Sequence, residues 1–310
     1  MKLSIIVILL FSSLIVKAQD YNEYYNGINN AKLMISQDSL KTSLSYYFQT
    51  FEKFDFVFAR DCYNAIELSA LAKDSIKLEY FIKRGIKQGL NFNYVLKMKN
   101  VSQFQNTTFI KKIEKEKDRL ENIYTNSINW ELRNEVIEMF EQDQIIREKY
   151  YEAILFKRKK IGREWEALNK IQVERIIEIT KKHGFPGEKI IGIDTKKMHF
   201  KIRDNDLSAG MPIVIFIHHF SQPNKSYDSI LKNEIQSGKL SNEHYAIICD
   251  FQYTYCKKIG TSPCYSIRFR PKESKEQIDI NRLEIGLLSL SNTDKLQSRK
   301  YITPFWRRLY

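Results

Sequence analysis

Glycine and proline are scarce, 11 and 6 in 310 residues. That disfavours long loops and turn-rich all-β folds. Four cysteines are present, Cys62, Cys249, Cys256 and Cys264, with no CxxC spacing. A zinc ribbon is therefore not expected, and no metal or cofactor site is read from the sequence. No apolar run after Val16 approaches the roughly 20 residues that a membrane helix needs. Low-complexity tracts and aromatic-rich nucleic-acid motifs are also missing, so no specific nucleic-acid partner is expected.

What is present is basic. Fifty Lys and Arg stand against 37 Asp and Glu, a net charge of +13. The charge is spread along the chain, and attraction to anionic envelope surfaces follows from it. One compact cluster, "FKRKKIGR" at 156–163, reads as a solvated interhelical loop, with a nucleic-acid patch as the alternative.

The first residues read as an export leader. Lys2 precedes an apolar stretch from Leu3 to Val16, and Val16 and Ala18 give a small-residue cleavage pattern. Cleavage is expected between Ala18 and Gln19, leaving a soluble chain in the periplasm or secreted. In an oxidising compartment, Cys256 and Cys264 are the expected disulfide, because they flank the turn-like "KKIGTSP". Cys62 lies in a helical pattern and reads as a small buried residue.

The expected organisation is a leader at 1–18, helical repeats at 19–125, a helical domain at 130–292 and a tail at 293–310. In the first half, "QDSLKTSLSYYFQTF" and "KDSIKLEYFIKRGIKQG" each open with Asp-Ser, a helix N-cap pair. Their spacing, near 35 residues, suits stacked helix–turn–helix units. "YNAIELSALAKD" followed by "YFIKRGIKQGLN" resembles tetratricopeptide-like units of exported bacterial proteins. That resemblance implies a binding scaffold.

The second half carries polar groups inside apolar stripes. Over 130–156, Leu132, Val136, Met139, Asp143, Arg147, Tyr150 and Ile154 recur at helical spacing. Asp143 and Arg147 would then be buried one turn apart, with Gln144 beside them. They read either as an ion pair locking one helix or as a site facing a ligand. A second helix at 164–183 repeats the pattern through Trp165, Leu168, Gln172, Ile176 and Ile179. Gly184 and Pro186 end it. "PIVIFIHHF" at 212–220 is too uniformly apolar for periodicity to separate strand from helix.

Five motifs in order resemble an uncharacterised bacterial family labelled domain of unknown function 6624. They are "EQDQIIR" with Asp143, Gln144 and Arg147; "HGFPGEKIIG"; the apolar segment ending His218-His219; "YAIICDFQY" with Asp250; and Asp279, Arg282, Gly286 and Leu287. The resemblance implies a predominantly helical domain, hence a helix at 212–220, and maps the family histidine onto His219. It brings no activity.

The fold expectation is mostly α: a short tetratricopeptide-like stack, then a helical domain with a small β element near 264–270. His219, Asp143 and Arg147 are the candidate catalytic residues, as base, orienting carboxylate and anion-binding guanidinium. Gln144, His218, Asp250 and Arg282 are the candidate ligand-binding residues. The leading functional expectation is an exported binding or scaffolding protein whose partner is a protein or a small anionic ligand. A hydrolase or lyase is the alternative.

Overall fold

The structure is a computed structural model that describes residues 19–194, 207–219, 227–255, 264–267 and 274–299. Among them fourteen α-helices and one short 3-10 turn occur, and no strand. They are α1 (Tyr21–Ser36), α2 (Leu40–Lys53), α3 (Ala59–Leu71), α4 (Ser75–Ile86), α5 (Phe92–Leu96), α6 (Thr108–Ser127), α7 (Trp130–Glu152), α8 (Leu155–His183), α9 (Glu188–Ile191), α10 (Met211–His218), α11 (Asp228–Gln236), α12 (Asn242–Tyr255), α13 (Lys275–Glu284) and α14 (Leu290–Gln297). The expected β element has no counterpart in 264–267, and 268–273 lie outside the described residues. Cys256 and the cleavage site's leader side, residues 1–18, lie outside them too.

Helices α1 and α2 form one hairpin and α3 and α4 a second. The turns inside them share a backbone pattern. Asp38 N–H donates to Ile35 and Ser39 N–H to Met34; Lys73 N–H donates to Ala70 and Asp74 N–H to Ser69. Asp38 and Lys73 both stand at positive φ, 59° and 55°. The structural repeat therefore aligns Asp38 with Lys73, one position off the Asp-Ser alignment. Asp74 caps α4 by accepting from Lys77 N–H at 3.0 Å, whereas Ser39 stands at the N-cap of α2 without a side-chain bond.

The core is aromatic where α1 meets the α2–α3 connection. Tyr21, Tyr24, Phe54 and Phe58 pack mostly edge-on, at centroid separations of 5.2 to 6.4 Å, the arrangement their ring quadrupoles favour. One contiguous core runs from Tyr21 to Leu296 and draws residues from both halves of the chain. The halves are also bonded. Tyr25 Oη donates to the Leu240 carbonyl at 3.3 Å, and Asn29 Nδ2 to the Gly286 carbonyl at 2.7 Å. Arg133 at the start of α7 is buried and donates to the carbonyls of Ile191 and Ile193. Residues 293–297, the start of the expected tail, belong to α14, which packs on α1.

Two boundaries in the second half differ from expectation. α7 stops at Glu152, and α8 begins at Leu155, so "FKRKKIGR" is the first turns of a helix rather than a loop. Lys and Arg are good helix formers and nothing in 156–161 breaks the run. The apolar stripe of α7 is buried only as far as Gln144; Ile154 is 78% exposed. Residues 212–218 of the segment 212–220 are helical as expected, α10 ending at His218 with His219 as its C-cap, and Phe220 lies outside the described residues.

Candidate functional site

Asp143 is fully buried. Its carboxylate is bonded on both oxygens. Oδ1 accepts from Trp165 Nε1 and Asn169 Nδ2, each at 2.8 Å. Oδ2 accepts from Gln144 Nε2 at 2.8 Å and pairs with His218 Nδ1 at 2.7 Å. Burial alone would push the carboxyl pKa up, but the bonds from His218, Trp165 and Asn169 outweigh it and hold it below the ordinary value. An ionised carboxylate only accepts, so Nδ1 of His218 carries its proton. Trp165 packs edge-on against the His218 ring at 5.1 Å. Gln172, on the same face of α8, donates to the Met139 carbonyl at 2.7 Å.

The expected trio of Asp143, Arg147 and His219 does not converge. His218, not His219, meets Asp143. Adjacent residues on a helix point about 100° apart, so one imidazole faces α7 and the other does not. His219 is buried, and its Nδ1 has no hydrogen-bond partner among the described residues. Burial pushes its pKa down, with Glu166, Glu174 and Lys170 of α8 nearby. Arg147 is half-buried; it reaches Gln144 Oε1 at 3.4 Å and lies over the Tyr151 ring. It does not pair with Asp143 directly. Trp165 and Asn169 were not singled out as site residues. The signal was there, because Trp165, Asn169 and Gln172 fall at steps of four and three on one face of α8, and two of them are amides in a buried stripe.

Asp250 and Arg282 hold backbone rather than a ligand. Asp250 accepts from Tyr265 N–H at 2.7 Å and Ile267 N–H at 2.6 Å. Arg282 donates to the carbonyls of Leu288 and Tyr265, at 2.5 and 2.6 Å, and to Thr293 Oγ1 at 3.0 Å. Asp279 accepts from Leu290 N–H at 2.6 Å. Together they fasten 264–267 and the start of α14 to α12 and α13. Among the described residues no cluster of His, Cys, Asp and Glu is arranged to hold a metal ion.

A cavity of about 280 Å³ lies elsewhere, between α1 and α3 of the first half and α12 to α14 of the second. Of its lining residues sequence reasoning named only Arg282 as a site candidate, because the walls come from segments scattered along the chain. Tyr25 and Phe58 line it and stack with centroids 6.2 Å apart, 20° from parallel. Its charges largely cancel. Glu243 takes Arg60 Nη1 at 3.0 Å and Lys32 Nζ at 3.6 Å. Burial would push the Glu243 pKa up, but Lys32 and Arg60 outweigh it and hold the carboxyl below its usual value. Asp61 accepts from Tyr24 Oη at 2.7 Å, and burial pushes its pKa up. Burial also pushes Glu188 up to about 8 and His244 down to about 3. Glu188 and His244 are thus mostly neutral near pH 7. Asn64, 3% exposed, lines the cavity with an Oδ1 that has no hydrogen-bond partner among the described residues.

In comparisons with known proteins, no family model matches this chain, and neither a curated protein nor a solved structure matches it.

Proposed function

We propose that this chain is an exported binding protein whose ligand site is the cavity between its halves. The observation that carries the proposal is the contrast between two polar clusters. Around Asp143 four donors meet one carboxylate at zero exposure, leaving no lone pair for a substrate. In the cavity, the lining residue Asn64 carries a buried amide oxygen with no hydrogen-bond partner among the described residues. A buried acceptor without a partner is costly, and a ligand donor would remove that cost. Export rests on the leader-like pattern of residues 1–18. The tetratricopeptide-like resemblance of the first half implies a binding scaffold, and the five-motif resemblance implies a helical domain without bringing an activity.

The cavity suits a small, uncharged, polar ligand. Lys32 and Arg60 already face Glu243, Arg282 is bonded to backbone carbonyls, Asp61 accepts from Tyr24, and Glu188 is mostly protonated near pH 7. A stacked Tyr25–Phe58 wall with amides and hydroxyls around it matches a ligand having one apolar face and several hydroxyl or amide groups. Arg147, expected to hold an anionic ligand, is not part of this cavity's lining and lies against Gln144 and Tyr151. Calorimetric titration with neutral monosaccharides and primary amides, with amino acids and with inorganic phosphate tests this. Heat from the neutral class is expected. Heat from phosphate alone, or from none of the probes, would sink it.

A second reading keeps a hydrolase or lyase at Asp143. The observation in its favour is the Asp143–His218 pair, in which a carboxylate fixes the tautomer of an imidazole that is not fully buried, the orienter–base half of many catalytic sites. His218 replaces His219 as the base in that reading.

A further inference from the structure

Helices α7 and α8 form a two-helix arm. The last buried residue of α7 is Gln144, and the first of α8 is Asn169. Everything between them stands outside the core, an extension of eight residues on α7, or about 12 Å at the helical rise. The arm is braced along its length. Tyr150 packs on Trp165 at 5.5 Å, and Gly162 gives room for the Tyr150 ring, which a Cβ there would meet at 3.2 Å. The turn at its end is also fixed. Arg158 donates to the carbonyls of Tyr150, Tyr151 and Ala153 at 3.1 to 3.2 Å.

The residues at the very tip are the wrong ones for water. Ile154, Leu155 and Phe156 are 78%, 83% and 93% exposed, and Tyr151 beside them is 61% exposed. Three large consecutive apolar side chains on a braced projection form a patch that isolated surface residues do not. Lys157, Lys159, Lys160 and Arg163 follow at once, all but Arg163 within one turn of Phe156. The acidic neighbours are Glu148, Glu152 and Glu164, of which Glu164 lies 3.9 Å from Lys160. Basic residues are in excess at the tip itself.

We propose that the tip of the α7–α8 arm docks on an anionic phospholipid bilayer, with Ile154, Leu155 and Phe156 entering the interface and the following lysines meeting the headgroups. A polyanion such as nucleic acid would use the lysines and leave the apolar triplet in water. A bilayer uses both, because insertion of apolar side chains and attraction of basic ones reinforce each other at its surface. The chain has no described helix long and apolar enough to span a membrane, so the contact is peripheral. This inference is independent of the cavity between the halves.

Because residues 1–18 are apolar themselves, the readout must be local to the tip. The full chain carrying Phe156→Trp is mixed with vesicles of phosphatidylcholine, or of phosphatidylcholine and phosphatidylglycerol at seven to three, with brominated acyl chains. The wild-type emission, from Trp130, Trp165 and Trp306, is subtracted. The expected result is a blue-shifted difference spectrum quenched by the brominated chains on the anionic vesicles only. Adding Lys157→Gln, Lys159→Gln and Lys160→Gln leaves Arg158 and the turn intact. It should raise the lipid needed by roughly a hundredfold, about fivefold per charge removed. These positions are exposed, so folding is not at stake. Three results would overturn the proposal: no quenching on anionic vesicles, equal quenching on both vesicle types, or a blue shift without lipid that grows with protein concentration. The last would assign the tip to a second copy of the chain.

Discussion

Asp143 shows how a single carboxylate can be held ionised in a core. Desolvation opposes its charge, and four donors from three helices restore it. Removing it strands those donors together, so Asp143→Ala should lower unfolding stability by ~3–5 kcal/mol, read from denaturant midpoints. A loss below about 1 kcal/mol would show that water reaches the cluster. The choice between His218 and His219 was not legible in the sequence. Their order along the chain is equivalent, and only the rotation of α10 against α7 separates them. The burial of Asp143 was legible from its place in the stripe with Val136 and Met139. Arg147 was assigned to the same stripe wrongly, because periodicity reports which face a residue is on and not where the neighbouring helix stops.

At the scale of elements, the helices themselves were readable from caps and periodicity. Asp74, Gly184 and Pro186 mark ends that the structure keeps. The α7–α8 junction was harder, since Ala153-Ile154 carries no breaker and the basic run that follows is a good helix former. The repeat turns supply a test. Lys73 is exposed and holds φ 55°, a conformation that costs an L-residue roughly 1 kcal/mol. Glycine occupies the matching place after α4, α11 and α13, as Gly89, Gly238 and Gly286. Lys73→Gly should therefore stabilise the chain by about 0.5–1 kcal/mol, after allowing for the extra freedom of glycine when unfolded. A lowered melting temperature would refute that alignment of the two turns. Asp38 is not equivalent in this respect, since its side chain pairs with Arg299 at 2.6 Å.

At the scale of the whole molecule, the halves are joined by polar contacts that lie outside any local pattern. Phe58 cannot cap α3 with a side chain, and the Glu188 carboxyl, 129 residues away, takes the Ala59 N–H instead. With its pKa pushed up to about 8 by burial, Glu188 keeps its proton when folded and loses it near pH 4.5 when unfolded. Between those values the folded chain binds more protons, so this group's contribution to stability falls as pH rises and is gone above about pH 8. His244, held near 3, acts in the opposite sense, its contribution being lost as pH falls below about 6.5. Comparing wild type with Glu188→Gln cancels His244. The expected outcome is a wild-type stability that declines relative to the variant between pH 5 and pH 8, by on the order of a few kcal/mol. Parallel curves would contradict the burial of a protonated Glu188. None of this junction was visible in sequence, because no motif links Ala59, Glu188 and Glu243.

The assignment of function rests on which polar cluster receives a ligand. Calorimetric titration of a neutral monosaccharide or amide that binds the wild type, repeated on Asn64→Leu and on His218→Gln, separates the two clusters most directly. Loss of heat in Asn64→Leu with binding retained in His218→Gln is the expected result. Binding retained in Asn64→Leu and lost in His218→Gln would contradict it and move the site to Asp143.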